Sequence, residues 1–175
     1  MMVMKSTVSL IAALSILAPL TITSADSIKT LLLDPIDETR ERVVPLKIYL
    51  PESDSPSPVI LFSHGLGGSR EANPYLGNHW AKSGYASVFI QHPGSDESVW
   101  KNKERSQRYV ALIEAANFRS SIHRYQDVPF VIDQLEKWNL EEEHPLSGQF
   151  DLSRIGMSGH SYGARTTQGM MGEDF

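Results

Sequence analysis

Gly159-His160-Ser161-Tyr162-Gly163 sets a serine between two glycines at the spacing G-x-S-x-G. The need behind that spacing is steric. A serine on a sharp strand-to-helix turn has room only if its flanking positions lack a Cβ, and the turn lifts its hydroxyl above the sheet. The helix that follows points its N-terminus at the reaction centre. A second glycine turn lies upstream, Ser63-His64-Gly65-Leu66-Gly67-Gly68. Glycines there let the backbone turn its N–H groups inward. Acyl transfer through a serine needs two such donors, aimed at the oxygen on which negative charge develops. Leu66 would supply one. Tyr162, the residue after the candidate nucleophile Ser161, would supply the other.

Both turns need elements to hold them. Ser27–Leu33 and Arg42–Leu50 read as strands, with the Asp34-Pro35 turn between them. Pro51–Pro58, rich in proline and serine, reads as a loop. Val59–Phe62 is an all-apolar run, as expected of a strand buried on both faces in a parallel sheet. Asn73–Ser83 reads as a helix with Pro74 in its first turn and Gly84 past its end. Ala86–Ile90 is a further buried strand. Residues 95–125 are polar; Lys101–Ala116 reads as helical, and the segment as an insertion over one end of the sheet. Asp127 is expected to cap an amphipathic helix whose Val128, Val131, Ile132 and Leu135 fall at i, i+3, i+4, i+7. Ser153–Met157 is a short strand leading into the second turn. Strands followed by strand–helix repeats predict a mainly parallel α/β sheet.

The other reactive side chains take lesser parts. His64 is expected to brace its turn by hydrogen bonds, and His160 to point away from its neighbour Ser161. His92 ends a central strand near the expected pocket mouth and is the candidate substrate-binding residue. His79, His123 and His144 read as surface or helix residues. Arg124 and Asp127, three apart, predict an ion pair at a helix start. Trp80, Trp100 and Trp138 read as packing residues. No His and carboxylate spacing suits a metal, and no G-K-[ST] follows Gly65–Gly68 to make a phosphate loop. Neither metal nor cofactor is expected.

Composition narrows the classes. The chain has 175 residues, with 16 Lys+Arg against 21 Asp+Glu and a net charge of −5. An acidic chain of ordinary apolar content is neither wholly disordered nor suited to nucleic acid. The absence of cysteine excludes disulfides and a thiol nucleophile. At the start, Lys5 precedes an apolar run over Val8–Leu20, and Thr23-Ser24-Ala25 supplies small residues for cleavage. That order predicts a signal peptide over 1–25 and an exported, periplasmic or secreted product. Its apolar core is too short to span a bilayer, so no stable membrane span is expected after cleavage.

VILFSHGLGGSR (59–70), IQHPGSD (90–96) and DLSRIGMSGHSYGA (151–164) resemble the α/β-hydrolase superfamily. Within it they resemble the platelet-activating-factor acetylhydrolase-like and dienelactone-hydrolase-like branch. The resemblance covers about residues 27–175. It implies an α/β-hydrolase fold with a mainly parallel sheet. It also implies a serine hydrolase acting on small-molecule carboxylic esters, lipid esters among them, with Ser161 as nucleophile and Leu66 and Tyr162 as the oxyanion hole. Dienelactone hydrolases proper have Cys where this chain has Ser161. The family's triad runs Ser, then Asp or Glu, then His. Beyond Ser161 this chain has Glu173 and Asp174 but no histidine. Residues 26–175 are therefore expected to be the N-terminal part of a hydrolase domain, incomplete at the C-terminus and ending just after the nucleophile turn. The strand near Ile155 should have one side unpaired, and the chain alone should be poorly soluble and nearly inactive. The alternative is a non-catalytic remnant or a binding module on the same fold.

Overall fold

The computed structural model describes residues 28–172. The expected signal peptide, and Glu173 and Asp174, lie outside the described residues. The chain runs β1 (Lys29–Leu33), β2 (Ile36–Asp37), β3 (Arg42–Val43), β4 (Leu46–Leu50), β5 (Ser57–Ser63), α1 (Pro74–Lys82), β6 (Ala86–Ile90), α2 (Ser98–Lys101), α3 (Arg105–Ala115), α4 (Phe118–Leu140), β7 (Phe150–Gly159) and α5 (Tyr162–Met170).

Five strands form one sheet in the order β1-β4-β6-β5-β7, and β2 and β3 form a separate hairpin. β1 and β4 pair antiparallel, as do β4 and β6, whereas β5 lies parallel to both β6 and β7. The parallel part is thus the end of the sheet that feeds the two glycine turns. Among the described residues β7 pairs only with β5, which leaves its other side unpaired.

The period of two along the strands sorts the core into two layers. On one face Leu46, Ile48, Leu50, Val59, Leu61, Ala86, Val88 and Ile90 pack with Val128, Val131 and Leu135 of α4. On the other, Tyr49, Phe62 and Phe89 meet Trp80 and Ala81 of α1. All five residues of β6 are buried. That is why this strand reads as a continuous apolar run rather than an alternating one.

β5 begins at Ser57, inside the expected loop, the expected Lys101–Ala116 helix is split between α2 and α3, and three further boundaries differ from expectation. The predicted strand Arg42–Leu50 is broken at Val44-Pro45, because proline has no N–H for a ladder and the Val44 amide instead donates to Pro35 O at 2.9 Å. β7 is longer than Ser153–Met157, since a register shift opposite Pro58/Val59 lets pairing continue back to Phe150. Asp127 does not cap its helix. α4 begins ten residues earlier, where the Asn117 side chain accepts from the Ser120 amide at 2.9 Å. The helix also holds Pro129 in its interior. Residues 95–125 do form the expected helical insertion: Trp100 Nε1 donates to Gly67 O at 2.7 Å, and Leu112 packs at the same glycine. Among the described residues no helix is long and apolar enough to cross a membrane.

Candidate active site

Ser161 stands between the end of β7 and the start of α5, with φ 53° and ψ −113°. A side chain rarely adopts that conformation, and holding one there costs on the order of 1–3 kcal/mol. The flanking glycines make the turn possible. A Cβ on Gly159 would lie 2.2 Å from Gly163 O, and one on Gly163 would lie 1.9 Å from Ser63 O. Both obstacles are backbone, so neither can move aside. Ser161 is exposed, and its hydroxyl makes no capping bond to its own helix.

The turn after β5 lies against this elbow. The His160 amide donates to Ser63 O at 3.2 Å, and a Cβ on Gly65 would come within 3.4 Å of the Ser161 Cβ and 3.0 Å of His160 Nδ1. The His160 imidazole therefore lies over Gly65 rather than pointing away from the site. Leu66 follows Gly65 in that turn, and Tyr162 opens α5. Neither the Leu66 nor the Tyr162 amide hydrogen-bonds an acceptor among the described residues. Tyr162 adjoins Ser161 in the chain, and Leu66 follows Gly65, which lies against Ser161.

Beneath the turn lies a polar cluster that the sequence did not reveal. Ser63, His64, His92, Arg124 and Asp127 are all fully buried. Ser63 Oγ lies 2.9 Å from His92 Nε2, and His92 Nδ1 lies 2.9 Å from Asp127 Oδ2. A carboxylate can only accept, so the His92 proton sits on Nδ1 and Ser63 donates to Nε2. Asp127 also accepts from Arg40 Nη1 at 2.8 Å and from Arg42 Nε and Nη2 at 2.9 and 3.0 Å. Arg40 also pairs with Asp37.

Charge in the cluster follows burial and partners. Burial alone would raise the Asp127 carboxyl, but hydrogen bonds from His92 and Arg42 outweigh it and hold the group well below the usual carboxylate range. Burial pushes His92 down to about 4, with the Arg124 and Arg42 charges adding to the effect against the Asp127 bond. His64 is driven down to about 3, first by burial and then by His92 and Arg124. Both imidazoles are neutral near pH 7. His64 Nε2 accepts from the His92 amide at 3.0 Å, so its Nδ1 proton goes to Gly65 O at 2.6 Å.

The expected bracing role of His64 matches this geometry. His92 does not. Its ring is enclosed, with both nitrogens bonded inside the protein, so it does not line a pocket mouth. Arg124 and Asp127 do not pair with each other: Asp127 turns to Arg40, Arg42 and His92, while Arg124 reaches the turn after β5. Among the described residues no histidine or carboxylate hydrogen-bonds Ser161. The buried cluster has a faint signal in sequence, since Ser63 and His92 each end an apolar strand. Nothing local tied them to Asp127 or Arg124, more than thirty residues further along.

Neither models of known protein families nor curated proteins match this chain. Solved structures do. A ferulic acid esterase from Streptomyces cinnamoneus superposes with a TM-score of 0.59 at 19% identity, over 83% of this chain and 54% of that one. A candidate dienelactone hydrolase from Klebsiella pneumoniae subsp. pneumoniae gives 0.63 at 16%, over 85% and 56%. A dienelactone hydrolase-like promiscuous phosphotriesterase from metagenomic libraries gives 0.59 at 12%, over 82% and 53%. The chain spans about half the length of these structures. Strand order, parallel pairing into both glycine turns and these superpositions agree: the chain has the α/β-hydrolase fold, of the kind found in dienelactone hydrolase-like proteins and esterases.

Proposed function

We propose that this chain is the nucleophile-bearing part of an exported serine hydrolase acting on carboxylic esters. The observation that carries the reading is Ser161: an exposed hydroxyl on a strained strand-to-helix turn, flanked by the free amides of Leu66 and Tyr162. Ser161 Oγ would attack the ester carbonyl carbon. The carbonyl oxygen would gain negative charge and accept from the two amides. Collapse of that intermediate would expel the alcohol and leave an acyl-enzyme for water to hydrolyse. Losing one such amide typically costs about 3–4 kcal/mol of transition-state stabilisation.

The Ser161 proton needs a base. No described residue offers one, and the chain spans about half the length of the structures it matches. We assign the triad acid and histidine to chain beyond residue 175. The Lys5, Val8–Leu20 and Thr23–Ala25 order supports export. A second reading, a non-catalytic remnant or binding module, is favoured by one observation: the Ser161 hydroxyl lacks a base among the described residues.

The test is hydrolysis of p-nitrophenyl acetate by this chain and by a form extended through its downstream coding sequence, each with and without Ser161→Ala. The proposal expects near-zero turnover from the short chain and Ser161-dependent turnover from the long one. A stop codon directly after Phe175, or Ser161-independent turnover, would favour the second reading.

A further inference from the structure

The buried Arg124 guanidinium touches both segments that carry the free amides. Its Nη1 donates to His64 O at 2.8 Å and to Ser63 Oγ at 3.2 Å, gripping the turn that leads to Leu66. Its Nε donates to Ser95 Oγ at 2.8 Å, which anchors the head group on the loop after β6. On its other side Arg124 Cζ sits 4.4 Å from the centroid of the Tyr162 ring. That ring is fixed at its far end by Ser121 Oγ at 2.8 Å and by donation to Asn117 O at 3.3 Å. Arg124 itself rides on α4, which is anchored to the sheet by Val128, Val131 and Leu135.

We infer that Arg124 is a positioning residue that sets the spacing of the two oxyanion donors, holding the Leu66 turn by hydrogen bonds and the Tyr162 backbone through its ring. This rests on the reading of Ser161 as nucleophile. The chemistry suits arginine alone. A flat guanidinium can donate in its plane to the carbonyl and hydroxyls while its face stacks on an aromatic ring. A lysine ammonium keeps the charge but has neither the fork nor the face. Burial lowers the Arg124 pKa only to about 10, so the group stays charged at neutral pH. Oxyanion donors act by being preorganised, so a loosened pair lowers turnover without weakening ground-state binding.

The test has two readouts on the full protein, turnover of p-nitrophenyl acetate and the ¹H–¹⁵N resonances of Leu66 and Tyr162 without substrate. Deleting one donor costs roughly a hundredfold to a thousandfold in kcat. For Arg124→Lys, which loosens two, we expect roughly a tenfold to hundredfold fall in kcat with KM within about twofold. Both amide resonances should shift together and exchange faster, while those of β5 and β6 stay put. Tyr162→Leu removes the stacked ring of a partly exposed residue, together with its hydroxyl bonds to Ser121 and Asn117, and it should move the same two amides. That variant decides the matter if Arg124→Lys does not fold. Unchanged kcat in a protein that still needs Ser161, or movement of one amide alone, would overturn the inference. Turnover that survives Ser161→Ala would instead sink the nucleophile reading, and the amide resonances would still judge what Arg124 holds.

Discussion

Ser63 and Ser161 stand almost side by side, since Ser63 of β5 is in register with Gly159 of β7, two residues before Ser161. Ser63 has everything a triad lists by type. It bonds a histidine, and that histidine bonds an aspartate. Among the described residues Ser161 has neither partner. Yet Ser63 is fully buried, sits on regular strand and accepts from Arg124, whereas Ser161 is exposed and strained. A serine, a histidine and an aspartate in contact do not make a nucleophile where no carbonyl can arrive. The Ser63 chain is a structural tie between strand end, β6 loop and α4. The Ser161 turn is the position we propose as reactive.

The sharpest way to break that comparison is to remove each hydroxyl in a form competent for turnover. Ser161→Ala should lower kcat for a simple ester by about a thousandfold or more, as loss of a triad nucleophile does. Ser63→Ala should leave kcat within roughly tenfold and instead lower stability by about 1–3 kcal/mol, because His92 Nε2 loses its donor and Arg124 an acceptor in a buried site. Comparable loss of turnover from both, at unchanged stability, would mean the two serines had been assigned the wrong way round.

The steric half of this picture was open to sequence reading, and the electrostatic half was not. Gly159 and Gly163 declare the turn because backbone atoms fill the space their side chains would need. The apolar runs Val59–Phe62 and Ala86–Ile90 declare buried parallel strands for the same local reason. Asp127 misled. An acidic residue directly before an amphipathic stretch is the pattern of a helix start, since its carboxylate can accept from the first free amides. Only the folded chain shows that Asp127 sits mid-helix with Arg40 and Arg42, more than eighty residues earlier, as its partners. Pairing across such separations leaves no periodic trace.

Asp127 therefore offers the next test of the tie. Asp127→Ala strips the acceptor from His92 and from two arginines that are mostly buried. Removing one partner of a buried ionic group costs roughly 3–5 kcal/mol, because the remaining charges stay desolvated. Urea unfolding should show that loss. The exposed Glu97–Lys101 pair is the control, and Glu97→Ala should change stability by less than about 1 kcal/mol. Equal effects would deny the cluster its structural role.

Acid should weaken the same region. His64 and His92 titrate at about 3 and 4 in the folded chain against about 6.5 unfolded, chiefly because burial disfavours their charged forms. Between those values the unfolded state binds more protons, so stability rises with pH and falls as pH drops below about 6.5. Each histidine contributes at most about 1.4 kcal/mol per pH unit, or about 3 for the pair. Asp127, held low, adds loss in the same direction only at more acid pH. Urea unfolding from pH 7.5 to 4.5 measures the slope, and His92→Gln should roughly halve it. A flat profile down to pH 5 would contradict neutral, buried imidazoles.

The smallest effect tests the strain on Ser161. At φ 53° and ψ −113° a Cβ is disfavoured, whereas glycine accepts the conformation freely. Ser161→Gly removes the strain, on the order of 1–3 kcal/mol, but returns about 0.5–1 kcal/mol through the freer unfolded chain. The net expectation is stabilisation by about 1 kcal/mol. Ser161→Ala keeps the Cβ and should change stability little, because the exposed hydroxyl has no protein partner to lose among the described residues. Both variants remove the hydroxyl. If only glycine raises the unfolding midpoint, the folded chain holds Ser161 in a conformation that opposes its own stability. If glycine and alanine behave alike, the turn is relaxed and strain has no part in presenting the hydroxyl.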